Sequence, residues 1–488
     1  MEIALAAPHL APPPSARPPL VGLTPQEVAG LHDEVVAYHQ EFAPLFARAE
    51  QRHWALKYLE GQLLPLARKS IEPMADALAG GNVQAMQQFI SIGAWDDAAV
   101  LWRHQQLVAA TLGDAETGVL IVDGCDFPKQ GAHSVGVARQ WCGALGKVAN
   151  CQASVLACYA SAHGYTLVDR RLYLPEEWFT AAYQERWTRC GVPPETAFQT
   201  RTALAWAMID GLHERADLPF QWVTGDEHFG NTPALLDQIA AAGLSYFMEV
   251  PHNVRVWRER PALAVPPPTG RKGHPFTRRR LAPGAPDPVR VDALATALPP
   301  DTWQPALIQE GSKGPLVAEV ACLRVVAVRD GLPGPDVWLV LRRSLGEGAE
   351  LKTYLCNAPA ATPEPTLVWL LGRRWPVEQA IKEGKDELGL DHYEVRGWVG
   401  WHHHLTMTLL AQHFLMRLRC RLGGDRPGAD GPAGARAAGG DAARPPTGRR
   451  GDLGAGAGDP AAQLRRRPLP SQADPATAAG YLVSQVTL

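Results

Sequence analysis

The chain has little net charge. Its 488 residues include 47 Lys and Arg against 50 Asp and Glu, which gives a formal net charge of −3. This balance provides no overall attraction for DNA or RNA, so any nucleic-acid contact must come from local basic segments. The 8 cysteines are scattered without a CxxC pair. That pattern argues against a compact disulfide framework and predicts reduced, mostly buried thiols.

Long hydrophobic runs are also absent. A helix that crosses a bilayer needs about 20 apolar residues, and no segment approaches that length. The first residues, MEIALAAPHLAPPPSARPPL, are broken by prolines and lack the basic start of a secretion signal. We therefore expect a cytoplasmic protein without a membrane partner. Because 46% of the residues are hydrophobic, most of the chain can fold around a sizeable core.

Hydrophobic periodicity divides the chain into segments. A Pro-rich arm over 1–22 is followed by helical patterning over 23–115, which predicts an all-α N-terminal domain. Over 116–250, a run of strand patterns gives way to alternating helices and strands, which predicts a mixed sheet flanked by helices. This order of elements is that of an RNase H-like α/β core.

The predicted core is interrupted before its last helices. Residues 251–364 open with a basic loop rich in Pro and Gly and continue with strand-like runs, so they predict a β-rich insertion subdomain. Helical patterning resumes over 365–421. Residues 422–488 are rich in Gly, Ala, Pro and Arg and poor in large apolar residues. Such a composition cannot form a core, and we expect a disordered tail.

Three acidic residues mark the predicted core. Asp123 and Asp226 each end an apolar run, in GVLIVDGCDF and FQWVTGDEHFG, which places a carboxylate at the C-terminal rim of a sheet. Glu378 lies at a helix start, in RRWPVEQAIKEGK. Converging carboxylates repel unless cations neutralise them, so we expect a magnesium site for phosphoryl transfer. Asp126 is a rival first acid, although Asp123 ends the apolar strand directly.

Two cations flank Glu378. Arg374 lies just before the helix, and Lys385 lies two turns after Glu378 on the same helix face. Such a pair can hold the phosphates of a substrate strand while the carboxylate holds a metal ion. An ordinary solvated helix face, with Glu378 and Lys382 as an i,i+4 pair, is the alternative.

Three blocks of the sequence resemble the insertion-sequence transposases of the DDE, RNase H-like superfamily, in the group named for a Tyr-Arg-Glu-Lys signature. The blocks are VDGCDFPKQGAHSVGVARQWCGALGKVANCQ, VTGDEHFGN and RRWPVEQAIKEGKDELGLDHYEVRGWVGWHHHLTM. They occur in the family's order, with the insertion in the expected place, and the resemblance spans roughly Phe42 to Leu418. It implies five catalytic residues, three of them metal-binding acids: Asp123, Asp226, Glu378, Arg374 and Lys385. Leu371 stands at the signature's Tyr position.

The resemblance also implies a function. A bacterial, nucleoid-associated transposase would bind the terminal inverted repeats of its element, cut the ends and join them to target DNA, as a homodimer in a paired-end complex. Two Mg²⁺ or Mn²⁺ ions roughly 4 Å apart would serve the in-line displacement. Two other functions stay open. One is a catalytically impaired, transposase-derived DNA-binding regulator, which the tail favours because its composition resembles a GC-rich gene translated in a shifted reading frame. The other is a cellular nuclease on the same fold. Whether excision uses a hairpin is also open.

DNA contacts are predicted outside the acids. The densest basic segment contains Arg271, Lys272, Arg278, Arg279 and Arg280, in a loop suited to tracking phosphates. A merely solvated loop is the alternative. Lys129 and Lys147 flank the first block and are expected near the cut strand. Trp303 and Trp338, in the insertion, are candidates for stacking on a displaced base, against the alternative of core tryptophans.

Overall fold

The computed structural model describes residues 25–265, 278–311, 314–346 and 350–422, with the side chains of 25–29 and 309–315 left out. The predicted Pro-rich arm, the tail beyond Leu422, and two residues of the basic loop, Arg271 and Lys272, lie outside the described residues.

In the described residues before the sheet there are five α-helices, in agreement with the helical patterning of the sequence. They are α1 (Pro25–Gln40), α2 (Ala49–Leu63), α3 (Ile71–Ala77), α4 (Val83–Ser91) and α5 (Asp97–Leu112). Side-chain caps fix two of the starts: Asn82 accepts from the Ala85 amide before α4, and Asp96 accepts from the Ala98 and Ala99 amides before α5. The apolar faces of these helices belong to the same hydrophobic cluster as the first strand of the sheet, so the helical region shares its core with the sheet.

Five strands form the centre of one large mixed sheet. They are β1 (Val119–Pro128), β3 (Lys147–Ser161), β4 (Gly164–Tyr173), β5 (Trp222–Gly225) and β6 (Ser245–Val250). Their order is β4-β3-β1-β5-β6. Strand β3 is antiparallel to its neighbours β4 and β1, whereas β5 and β6 are parallel to β1. A short strand, β2 (Ala138–Cys142), pairs antiparallel with the first residues of β3. The connecting helices are α6 (Gln184–Cys190), α7 (Arg201–Arg215), α8 (Glu227–Gly230) and α9 (Pro233–Ala241). This is the predicted RNase H-like fold.

The insertion is β-rich, and its strands join the core sheet except for Leu263–Ala264 and Arg280–Leu281, which form a separate two-stranded sheet. Its elements are β7 (Arg255–Trp257), β8 (Leu263–Ala264), β9 (Arg280–Leu281), β10 (Val289–Arg290), α10 (Val291–Ala297), β11 (Gln304–Gly311), β12 (Gly314–Arg329), β13 (Leu332–Ser344) and β14 (Leu351–Cys356). β14 pairs antiparallel with β6, and β13 and β12 follow. The 12-stranded sheet therefore runs without a break from the core into the insertion.

Three helices complete the fold: α11 (Glu364–Leu370), α12 (Trp375–Leu388) and α13 (Trp398–Leu422). Successive side chains of β1 point to opposite faces of the sheet, so its two faces pack against different helices. Ile121, Cys125 and Phe127 belong to the cluster that contains the apolar residues of α12 and α13, whereas Leu120 and Val122 pack with α7. Within the described part of the chain, no helix combines the length and apolarity of a membrane span.

Candidate active site

The register between β1 and β5 brings the first two acids together. In this parallel pair Val122 lies opposite Gly225, so the next residues lie at the same level, Asp123 within β1 and Asp226 directly after β5. Asp123 lies on the β1 face that α12 covers, is partly buried, and accepts a hydrogen bond from the Gly124 amide (2.8 Å). The meeting of these two carboxylates is thus a direct consequence of strand pairing.

Asp226 caps the short helix α8. Its Oδ1 accepts from the backbone amides of His228 (3.0 Å) and Phe229 (3.3 Å). The helix lies so close to β6 that a Cβ on Gly230 would come within 1.9 Å of the Glu249 carbonyl oxygen, so only glycine fits there. The cap and this close approach together fix where the Asp226 carboxylate sits.

Glu378 reaches the same place from α12. It lies in the first turn of the helix, is half exposed, and forms an ion pair with Arg374 one turn earlier. The Arg374 guanidinium is 3.5 Å from Glu249 on β6 and interacts electrostatically with Asp123 and Asp226. Arg374 therefore lies among four carboxylates, which raise the pKa of its guanidinium although burial opposes them.

The fourth carboxylate, Glu249, was missed by sequence reasoning. It sits in the middle of β6, in SYFMEV, without any motif around it. Its second partner is Lys352 of the insertion, whose Nζ lies 3.2 Å from Glu249 Oε1. Only the pairing of β14 with β6 brings Lys352 to this position. A glutamate at an inward position of a predicted strand would have been the one available signal.

Burial and the neighbouring carboxylates raise the pKa of Asp123. Burial and the nearby Asp226 raise the pKa of this carboxyl to about 7, Arg374 opposes the shift, and Glu378 adds to it. A group with a pKa near neutrality holds a proton that a divalent cation could displace. The value supports a cation-binding role for the acids.

Asp126 lies on the opposite face of β1 from Asp123. Its Oδ2 accepts from the Gly143 amide (2.6 Å), and its Oδ1 is 3.6 Å from the Arg201 guanidinium at the start of α7. Lys385 of α12 donates to the Asp126 carbonyl oxygen (3.4 Å). The Asp126 side chain thus has partners of its own and does not join the three acids, whereas Lys385 reaches the β1 backbone beside them.

Comparison with protein families agrees with this geometry. A family profile described as DDE superfamily endonuclease matches residues 41–315, more than half of the chain. The chain belongs to this family. Membership assigns it endonuclease chemistry with DNA as the substrate. The matched range contains Asp123 and Asp226, and Glu378 follows it. No curated protein is significantly similar to the chain.

DDE endonucleases use divalent metal ions, and the donor types here fit such ions. Carboxylate oxygens are the ligands that Mg²⁺ prefers. Across the described residues, however, no three His, Cys, Asp or Glu side chains form a ready-made metal site. The reason lies in the partners of the acids: Asp226 is engaged as a helix cap, and Glu378 is paired with Arg374. The Glu378 carboxylate would have to exchange Arg374 for an incoming ion, whereas Asp226 uses only its Oδ1 in the cap.

The predicted DNA contacts of the DDE endonuclease lie at several places. Lys129 is partly buried with its Nζ 3.6 Å from the centre of the Tyr393 ring, and burial lowers its pKa to about 8. Lys147 is exposed at the start of β3. The remaining described residues of the basic loop are also exposed: Arg278, Arg279 and Arg280.

The two insertion tryptophans are buried in this DDE endonuclease, which favours the alternative of core tryptophans over stacking on a displaced base. Trp303 is 5% exposed, and the Arg343 guanidinium lies 4.1 Å from the centre of its ring. Trp338 is 8% exposed, and its Nε1 donates to the Pro359 carbonyl (3.1 Å). An arginine guanidinium lies over each ring, Arg343 over Trp303 and Arg324 over Trp338, and little of either ring is exposed.

Proposed function

We propose that this DDE endonuclease is a transposase that binds the terminal inverted repeats of an insertion sequence, cleaves at its ends and joins them to target DNA. The observation that carries the proposal is the convergence of Asp123, Asp226 and Glu378 around Arg374. In this assignment the three acids hold two Mg²⁺ or Mn²⁺ ions, and Arg374 and Lys385 contact the phosphates of the strand being cut.

Each acid has a role that follows from its position. Asp123 and Asp226, on neighbouring strands, provide a fixed pair of carboxylates, and Glu378 closes the site from α12. The bound ions would supply a nucleophile at neutral pH and charge stabilisation at the leaving oxygen. Arg374 is paired with Glu378, and a guanidinium that exchanges a carboxylate for a phosphate can form two parallel hydrogen bonds with the phosphate.

Two successive displacements at phosphorus account for cleavage and joining. In the first, a water oxygen attacks a phosphate of the element's end and the P–O3′ bond breaks. The water releases one proton to solvent, and the leaving O3′ takes up one proton from solvent. The products are a 3′-hydroxyl and a 5′-phosphate. In the second, that 3′-hydroxyl attacks a phosphate of the target and displaces a 3′ oxygen there. The same carboxylates serve both steps because only the nucleophile changes.

The choice of a transposase over a general nuclease rests on the signature and the insertion. Arg374, Glu378 and Lys385 have the spacing of the Arg, Glu and Lys of the transposase group, and a β-rich segment separates the second and third acids. We infer a homodimer in the paired-end complex from the same resemblance.

Cleavage of end-labelled DNA tests the proposal. The full chain, supplied with Mg²⁺ and the terminal repeats of its own element, should nick the repeat boundary and join it to a plasmid target. Cleavage without joining would indicate a plain nuclease. Binding of the repeats without cleavage, under Mg²⁺ and Mn²⁺ alike, would indicate the regulator.

A further inference from the structure

A hairpin anchored to β1 exposes an apolar surface. The strands β2 and β3 are joined by a tight turn over 143–146, and three large apolar side chains of this hairpin face solvent: Trp141 (58% exposed), Leu145 (46%) and Val148 (51%). Trp141 is the most exposed of the 15 tryptophans of the chain. Trp141 and Val148 are direct cross-strand partners, so their side chains share one face of the hairpin. Clustered apolar exposure of this kind marks an interaction site.

The hairpin projects outward from a fixed base. Gly146 closes the turn with a φ of 61°, and a Cβ added there would meet no atom within 4 Å. The Gly143 amide donates to Asp126 Oδ2 (2.6 Å), which ties the hairpin to β1. Asp126 follows Asp123 by three residues, a distance of about 10 Å along a strand. The turn of the hairpin is therefore anchored to the strand that carries Asp123.

Charge identifies the chemistry of the partner. Residues 138–150, ARQWCGALGKVAN, contain Arg139 and Lys147 and no acidic residue. Both basic side chains are exposed, and Arg139 lies on the same side of β2 as Trp141. An open indole with Arg139 beside it, and Lys147 on the other face of the same hairpin, suits a nucleic-acid strand, because phosphates pair with the cations and bases stack on the ring.

We propose that the Trp141 and Val148 face of this hairpin stacks on an unpaired nucleobase of the DNA bound at the site. The inference rests on the proposed function, since it needs DNA positioned at the acids. Stacking on an aromatic ring tolerates any base sequence, so the contact selects bases that lie outside a duplex.

Two DNA probes test this inference with the full chain. One is a blunt duplex of about 20 base pairs, and the other adds a single-stranded extension of about six nucleotides that carries 2-aminopurine, a length within the range of single-strand binding sites. Trp141→Ala is expected to weaken binding of the extended probe about tenfold and to remove the quenching of 2-aminopurine, while binding of the blunt duplex stays unchanged. Trp141→Phe should retain most of both signals.

Trp102→Ala is the matched control, because Trp102 is also an exposed tryptophan (49%). It donates to Asp217, which follows the C-terminal end of α7, whereas Asp126 lies near the N-terminal end of that helix. Equal affinity and equal quenching for the wild type and Trp141→Ala would overturn the inference and leave the proposed function standing. A wild-type chain that binds neither probe would instead remove the proposed function. A Trp141→Ala chain that loses a dimer in sedimentation but keeps the quenching would assign the face to a second copy, and would also overturn the inference.

Discussion

Arg374 and Glu378 form an ion pair one turn apart on α12, and the same Arg374 guanidinium lies 3.5 Å from Glu249 on β6. One side chain thus links the helix that carries the third proposed acid to the sheet that carries the first two. In the protein without DNA, it supplies positive charge that the crowded carboxylates require. Arg374 and a divalent cation therefore compete for the same anionic environment.

The first prediction follows from that competition. At pH 8 and without DNA, Arg374→Gln should bind Mn²⁺ roughly tenfold more tightly than the wild type, because a nearby positive charge has been removed. The same variant should cleave DNA more slowly, since it lacks the proposed phosphate contact. Isothermal titration calorimetry measures the first effect and end-labelled cleavage the second. Lys382→Gln, an exposed change on the same helix, should alter neither, and weaker Mn²⁺ binding by Arg374→Gln would contradict the competition.

The second prediction concerns Asp226. Asp226→Asn keeps an oxygen that can cap α8 but loses the negative charge, so cleavage should fall by at least about a hundredfold while binding to end DNA changes little. Glu227→Gln, the exposed neighbouring residue, is the control and should remain active. Cleavage and gel-shift assays on the same DNA separate the two properties. An Asp226→Asn chain with wild-type cleavage would remove Asp226 from the catalytic set.

The third prediction is a pH dependence at Asp123. Its pKa is raised to about 7 in the folded chain, so the folded state keeps a proton that the unfolded state loses near pH 4. The carboxyl therefore lowers stability increasingly as pH rises from about 4 to about 7, and by a constant amount above that. In EDTA, the melting temperature of Asp123→Asn should exceed that of the wild type at pH 8 and match it near pH 4.

Asp126→Asn provides the contrast for that experiment. Asp126 pairs with Arg201 and accepts from the Gly143 amide, so neutralising it removes favourable contacts and should lower the melting temperature at pH 8. Thermal denaturation followed by circular dichroism across the pH range measures both variants. A pH-independent difference between Asp123→Asn and the wild type would refute the assigned acidity.

The fourth prediction addresses the basic loop. Replacing Arg278, Arg279 and Arg280 together by Ala should weaken DNA binding and flatten its dependence on salt, because each lost phosphate contact removes about one released counterion. Fluorescence anisotropy over a range of salt concentrations measures the slope. Arg189→Ala, which removes an exposed arginine paired with Glu185, serves as the control. An unchanged slope in the triple variant would show that the loop does not contact DNA.

The sequence predicted those parts of the fold and site that depend on local pattern. Asp226 directly follows β5, whereas Asp123 ends only the apolar run of β1, which continues to Pro128. The sequence places the two acids together because their strands are neighbours in a familiar order. Glu249 could not be found in this way, because its role depends on the Lys352 and Arg374 side chains, which distant segments bring to it. The burial of Trp303 and Trp338 likewise depends on how the insertion strands pack, which composition does not reveal.

The unbroken pairing of β14 with β6 means that the insertion cannot be removed or moved independently of the core sheet. Excision of the insertion would leave β6 as an open edge with unpaired amides and carbonyls, and open edges recruit strands from other molecules. A shortened chain of that kind should therefore self-associate through β6 instead of persisting as a smaller monomer. By the same reasoning, the insertion cannot swing away from the acids as a rigid flap without breaking its ladder to β6, so any opening needed to admit DNA falls to the helices.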